Sequence, residues 1–96
     1  MRIAYVLKSK TYERYVGKLT YGPVGYLMDS AVIGWRYTRC LDDAARFVSR
    51  QAAAFALLTQ AASGTLKGKS ADVIGGFLRE YEIVEIHHRP SWIEVR

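Results

Sequence analysis

A run of fourteen residues, Ser49 to Ala62, most constrains what this chain can fold into. Six of the fourteen are alanine, none is glycine or proline, and Thr59 is the only β-branched residue, so the run is typical of an α-helix. Ser49 is placed to cap the first turn, and Gly64 follows where a C-terminal capping residue is expected. The sequence therefore predicts a helix over residues 49–62.

The apolar positions of this run predict which side of the helix is buried. Phe55, Leu58 and Ala62 fall at helical spacing, and further apolar side chains lie beside them at Ala54, Leu57 and Ala61. Together they form a face broad enough to cover a sheet. We therefore expect Phe55 to be a core residue.

The segment before the helix, residues 42–47, is also compatible with helix. One long helix could begin at Asp42, or a short turn could precede a restart at Ser49. We favour the restart, because Phe47 and Val48 place apolar side chains directly before a capping serine.

The segments on either side of the helix have the pattern of β-strands. The predicted strands cover residues 2–8, 12–20, 26–28, 31–37, 81–88 and 92–95. Turns are predicted at Gly22-Pro23 and at Asp29-Ser30. Residues 70–80 are predicted to form a second, short helix capped by Ser70, although Gly75-Gly76 lies in its middle.

Strands, then helices, then strands predict an α+β fold: a mainly antiparallel sheet with the alanine-rich helix and the short helix packed on one face. The strands 2–8 and 81–88 are apolar enough to be neighbours at the centre of the sheet. A length of 96 residues, half of them hydrophobic, predicts a single domain over residues 1–96. One cysteine, Cys40, and no apolar run long enough to cross a bilayer lead us to expect a cytoplasmic protein.

The charge is concentrated in one part of the chain. The first 41 residues hold seven basic and two acidic side chains, whereas the remainder holds seven of each, so the whole net charge of +5 belongs to the first part. That part also holds six of the tyrosines between Tyr5 and Tyr37. Cations interleaved with aromatic rings are typical of surfaces that bind nucleic acid or acidic protein.

The strand pattern places several of these cations close together. It assigns Arg14, Val16 and Lys18 to one side of a strand and Tyr15 to the other. The predicted partner-binding surface comprises Lys8, Lys10, Arg14, Lys18, Arg36 and Arg39. The alternative is that the rings belong to the core and the cations are only solvated.

A glycine-rich loop provides a second, weaker candidate. Residues 64–70 resemble a phosphate-binding P-loop, but the motif is one residue short and follows a helix instead of a strand. What remains is a candidate anion site formed by Lys67, Lys69 and the helix N-terminus at Ser70.

Other residues with chemical potential do not form a catalytic pattern. His87 and His88 are adjacent in a strand and therefore point to opposite faces. Cys40 is expected to be a small buried residue, and Asp42 and Asp43 to be helix-start residues. We predict neither an enzyme nor a bound metal or cofactor.

Short motifs in this chain resemble a known pattern. Four segments are similar to segments of small phage and prophage accessory proteins: the start Met1–Lys8, Tyr15-Val16-Gly17, the helix opening Leu41–Ala52 and the strand Tyr81–Ile86. That group includes anti-CRISPR proteins with folds of the β-β-α-β kind. The resemblance implies a non-catalytic inhibitor in the host cytoplasm that binds a host protein complex, such as a CRISPR effector.

Two other functions are compatible with the sequence. One is a small nucleic-acid-binding regulator that uses the same basic surface, for which affinity should fall steeply as salt rises. The other is a structural or assembly protein that forms homo-oligomers through the alanine-rich helix, whose small side chains allow close approach.

Overall fold

Five antiparallel strands and two helices make up this α+β fold, as the sequence predicts. The computed structural model describes residues 2–24, 27–63 and 68–95. The strands are β1 (Arg2–Ser9), β2 (Tyr15–Val24), β3 (Leu27–Thr38), β4 (Tyr81–His88) and β5 (Trp92–Glu94), and the helices are α1 (Arg50–Ser63) and α2 (Ala71–Glu80). A short 3-10 turn, Leu41–Asp43, precedes α1. None of the described helices is long and apolar enough to cross a membrane.

The strands form one sheet in the order β3-β2-β1-β4-β5. β1 pairs with β4 along its whole length, from Arg2 opposite His88 to Ser9 opposite Tyr81, so the predicted adjacency of these strands is confirmed. Both strands lie inside the sheet, which is why apolar side chains occur on both of their faces. The register also places His87 and His88 on opposite faces, as predicted.

The β2–β3 hairpin is longer than the sequence patterns indicate. The turns predicted at Gly22-Pro23 and Asp29-Ser30 were wrong, because both pairs lie within the strands. Proline has no backbone N–H to donate to a partner strand. Pro23 lies where the register of β2 and β3 shifts between Gly22 and Val24, and such an irregularity tolerates a residue without this donor. The connection at residues 25–26, which includes part of the predicted strand 26–28, lies outside the described residues.

The segment that follows β3 crosses the sheet through a gap. β1 and β2 pair only at Lys8 opposite Tyr15, and beyond that point residues 45–47 lie between them. The Phe47 N–H and C=O both bond to Tyr5, and the Ala45 N–H donates to the Val16 carbonyl over 2.9 Å. These bonds satisfy backbone groups that the separated strands would otherwise leave unpaired.

This crossing gives the sheet two covered faces. On the helix face, Leu7, Val16 and Tyr81 pack against Ala53 and Leu57 of α1, with Phe77 and Leu78 of α2 beside them. On the opposite face, a second cluster brings together Ala4, Val6, Tyr15, Ala44, Val84 and Ile86, with Leu41 and Trp92 at its edge.

The predicted buried side of α1 was wrong in part. Phe55 and Leu58 are each 55% exposed. Leu57 and Ala61 of the predicted face are buried, and Ala53 is buried beside them. The alanines allow the helix to approach the sheet closely, which larger side chains at those positions would prevent.

Helical position explains why Phe55 faces solvent. It lies two residues from both Ala53 and Leu57, which at about 3.6 residues per turn places it on the other side of the helix from these buried residues. The Val32 N–H of β3 donates to the Thr59 hydroxyl over 3.1 Å and so links α1 to β3.

Serine caps begin both helices at the predicted places. The Ser49 hydroxyl accepts from the Ala52 N–H over 3.0 Å, and the Ser70 hydroxyl accepts from the Val73 N–H over 3.4 Å. The predicted restart at Ser49 is therefore confirmed, since extended residues separate the 3-10 turn from α1. The second helix tolerates Gly75-Gly76 because other residues of α2 pack against the core.

Candidate anion-binding site

The arginine at the start of β2 is held between two tyrosine rings. The Arg14 guanidinium carbon lies 3.6 Å from the centroid of the Tyr37 ring and 4.8 Å from that of Tyr12. Arg14 Nε is buried and has no hydrogen-bond partner among the described residues. Stacking on two rings therefore holds this guanidinium in place.

A second arginine completes a small cavity beside this stack. The cavity has a volume of about 180 Å³ and is lined by Arg14, Tyr37, Thr38 and Arg39. Two arginines are among its lining residues, and no acidic residue is. Such a set of donors suits one carboxylate or phosphate group, which arginine binds with paired hydrogen bonds. We call these four residues the Arg14 site.

Aromatic packing in the helix-face core holds Tyr37 in position. Its hydroxyl forms a short hydrogen bond with the hydroxyl of Tyr81. The Tyr81 ring is in turn packed edge-on against Trp35 and Phe77, with centroids 5.3 and 5.2 Å away. Burial raises the pKa of the Tyr81 phenol, and the bond to Tyr37 raises this pKa further, so Tyr81 remains neutral at ordinary pH.

The tight turn before β2 is fixed by a carboxylate from α2. Glu80 accepts hydrogen bonds from the Ser9 hydroxyl at 2.6 Å and from the Thr11 hydroxyl and N–H at 2.8 and 3.1 Å. These bonds lower the pKa of the Glu80 carboxyl, and the positive charge of Arg14 lowers it slightly more. Glu13 adopts a left-handed backbone with φ of 49°, and the turn closes with the Ser9 N–H bonded to the Arg14 carbonyl.

The other predicted basic residues do not share this location. Lys8 is on the opposite face and pairs with Glu94 over 3.0 Å, with both side chains mostly buried. Lys10 is exposed in the β1–β2 turn, where its N–H donates to the Glu80 carbonyl. The structure therefore places Arg14 and Arg39 together and keeps Lys8 away from them.

The prediction that Arg14 and Lys18 share one side of β2 was wrong. Val16 pairs with Tyr37 and Leu19 with Trp35, so two residues of β2 stand opposite Arg36 alone. This bulge reverses the alternation of β2 and turns Lys18 toward the opposite face. Arg36 points to the same face because it alternates with Trp35 and Tyr37 in β3, and both cations are exposed.

The loop that resembles a P-loop does not form a described site. Lys67 lies outside the described residues, and Lys69 is exposed. The Ser70 hydroxyl already accepts from the Val73 N–H as a helix cap, and Asp72 places a negative charge in the first turn of α2. The Asp72 carboxylate would therefore repel an anion bound at this N-terminus.

Residues with other chemistry are dispersed. Cys40 is exposed, so its predicted burial was wrong. His87 Nε2 lies 2.7 Å from a Glu85 carboxylate oxygen. No group of three or more potential metal ligands occurs in the part of the chain that the structure describes.

The sequence patterns missed a second basic-aromatic cluster. The guanidinium carbons of Arg2 and Arg46 lie 5.4 and 5.3 Å from the centroid of the Trp92 ring, and His88 packs edge-on against that ring at 5.2 Å. These residues are far apart in the sequence, and only the β1–β4–β5 register and the crossing segment bring them together. Net charge by segment could not have indicated this cluster, because Arg46 belongs to the neutral part of the chain.

Comparison with known proteins adds no further constraint. No family model matches the chain, and neither a curated protein nor a solved structure matches it.

Proposed function

We propose that this protein is a non-catalytic binding protein that docks on an acidic surface of a host protein complex through the Arg14 site. The single observation that carries the proposal is the Arg14 guanidinium, which is held by two rings and faces a cavity with Arg39 and no carboxylate. A preorganised arginine loses little side-chain freedom on binding, so more of the interaction energy contributes to affinity.

The distribution of charge favours a protein partner over nucleic acid. A protein that follows a nucleic-acid backbone needs a continuous row of cations. Here Lys18 and Arg36 lie on the other face, and Lys8 is neutralised by Glu94. A cavity of about 180 Å³ fits a single acidic group.

An oligomer formed by close packing of the alanine-rich helix receives less support. Ala53, Ala56 and Ala61, the small side chains that would allow close approach, are buried against the protein's own sheet. The exposed side of α1 instead presents Phe55 and Leu58.

Inhibition of a host defence complex in the cytoplasm is the form of binding that we favour. Its support is the resemblance of the β1, α1 and β4 segments to small phage accessory proteins. A small protein that docks on such a complex can block it without chemistry of its own. A CRISPR effector is the partner of this kind that the resemblance suggests.

The direct test combines capture with a matched pair of variants. The tagged protein is used to capture partners from a bacterial lysate, with and without nuclease treatment. The Arg14→Gln/Arg39→Gln variant should lose a protein complex that the parent retains after nuclease. The control variant, Lys18→Gln/Arg36→Gln, removes the same charge from the opposite face and should retain the complex.

Inhibition itself is tested by phage plaque formation on cells that carry an active CRISPR system. Expression of the parent and of the control variant should restore plaques, whereas Arg14→Gln/Arg39→Gln should not. Capture that disappears with nuclease would indicate nucleic-acid binding instead. Equal capture by both variants would show that the Arg14 site is only a solvated surface.

A further inference from the structure

The Trp92 cluster lies at the other end of the sheet from the Arg14 site. The Trp92 end of the sheet is formed by the first residue of β1, the last residue of β4 and the first residue of β5. The Arg14 site instead adjoins the last residues of β1. The two sites also use opposite faces, because Trp92 packs on the opposite-face core while Tyr37 contacts Tyr81 on the helix face. A ligand small enough for one site therefore cannot reach the other.

A cavity of about 170 Å³ adjoins the Trp92 ring. Its lining combines two guanidinium groups with apolar side chains, namely Arg2, Ile3, Ala4, Arg46, Phe47, Val48 and Trp92. Ile3 is 52% exposed and Val48 is 90% exposed, so apolar surface continues from the cavity to solvent.

The charges around this cavity are mainly positive. No carboxylate of the described residues lies within ion-pair distance of Arg2 or Arg46. Asp42 lies beside the cluster: its backbone carbonyl accepts from Arg46 Nη1 at 3.0 Å, and its carboxylate accepts from the Trp92 backbone N–H at 3.4 Å. Asp42 therefore positions the ring and the arginine, and its carboxylate is directed to the β5 backbone.

The position of the arginines decides which ligand fits. Both guanidinium groups already lie over the indole, so the ring has little free surface on which a base could stack. The cavity is also well below the roughly 300–1,000 Å³ of pockets that enclose a whole small molecule. It has room for one acidic side chain, and an apolar side chain next to it can pack on the exposed Val48 at the rim.

We propose that the Trp92 cluster is a second binding site, specific for an acidic peptide in which a carboxylate is adjacent to an apolar side chain. The carboxylate pairs with Arg2 and Arg46, and the apolar side chain contacts Val48. This site is independent of the Arg14 site, so it stands or falls separately from the function proposed above.

The indole N–H signal of Trp92 in the NMR spectrum of the labelled full chain provides the readout. Trp92→Phe assigns this signal, and Trp35, which packs against Phe77 in the helix-face core, provides an internal reference. The probes are N-acetyl-Glu-Leu-amide, its neutral counterpart N-acetyl-Gln-Leu-amide, acetate and a short single-stranded oligonucleotide.

The Glu-Leu peptide should shift the Trp92 signal in a saturable manner, with a Kd of about 1 mM or tighter, while the Trp35 signal remains unchanged. Arg46→Gln should weaken binding about tenfold, as expected for one charge-assisted hydrogen bond. Val48→Ser changes only a surface side chain and should also weaken it. Arg14→Gln/Arg39→Gln should bind this peptide like the parent.

Several results would overturn the proposal. Equal binding of the Gln-Leu peptide would show that the arginines do not recognise the charge. Equal binding of acetate would show a bare anion site, and tighter binding of the oligonucleotide would show a nucleic-acid site. Full affinity in the Val48→Ser variant would show that no apolar side chain is recognised. This result can be obtained even if Arg46→Gln fails to fold.

Discussion

Leu57 and Leu58 are neighbours in α1 that differ strongly in burial, so replacing each by alanine tests the orientation of the helix. Leu57 is 9% exposed and packs in the helix-face core, whereas Leu58 is 55% exposed. The two substitutions remove the same atoms and change helix propensity equally. The difference in stability between the variants therefore reports burial alone.

The magnitude follows from the carbon atoms removed. Leucine to alanine removes three carbon groups, each contributing about 0.8 kcal/mol when buried, or roughly 2.4 kcal/mol at Leu57. A cavity that the sheet cannot fill adds to this, so Leu57→Ala should destabilise by about 3 kcal/mol. Leu58→Ala exposes no cavity and loses less than half of the transfer term, about 1 kcal/mol.

Urea unfolding followed by circular dichroism measures both values. The slope of free energy against urea should be the same in both variants, because the surface exposed on unfolding hardly changes. In thermal unfolding, Leu57→Ala should melt on the order of 10–20 °C below the parent and Leu58→Ala only a few degrees below it. Equal destabilisation by the two substitutions, or a larger effect of Leu58→Ala, would refute the observed rotation of α1.

Three further predictions concern titration and capping. The hydrogen bonds to Glu80 lower its folded pKa below the ordinary value of 4.5, so their stabilisation is present above that pH and is lost as pH falls. Glu80→Gln should therefore reduce the loss of unfolding free energy at acid pH. The same acid loss in the parent and the variant would contradict this. Tyr81 has a folded pKa raised above 10.0, so stability should fall as pH rises beyond that value. Tyr81→Phe should reduce this fall. The same variant should lose a late step from the tyrosinate absorbance titration. Ser49→Ala should destabilise by about 1 kcal/mol in urea unfolding, whereas no change would show that its bond to the Ala52 N–H is unimportant.

Elements with strong local signals could be predicted from the sequence. Ser49 and Ser70 cap the helices where expected, because a serine hydroxyl satisfies an N–H three residues later whatever the tertiary context. The apolar composition of β1 and β4 correctly indicated two neighbouring strands within the sheet. In contrast, the turn signals at Gly22 and Asp29 were overridden, because both residues lie within the extended strands of the β2–β3 hairpin.

The candidate sites could be predicted only in part. Segment charge pointed to Arg14 and Arg39, and the structure brings these two together. It did not reveal that Lys8 is neutralised by a carboxylate 86 residues away, or that a bulge turns Lys18 to the other face. Both outcomes depend on strand register, and one extra residue in a strand reverses every side chain beyond it.

The sequence by itself determined where the two helices begin and that β1 and β4 are strands, since capping and strand composition act over a few residues. Only the tertiary structure decided which surfaces remain free. Packing turned Phe55 outward because α1 approaches the sheet closely through Ala53 and Ala56. The gap between β1 and β2 admitted residues 45–47 and so carried Arg46 to Trp92. Such contacts join residues distant in the chain, and their energies exist only once the sheet has formed.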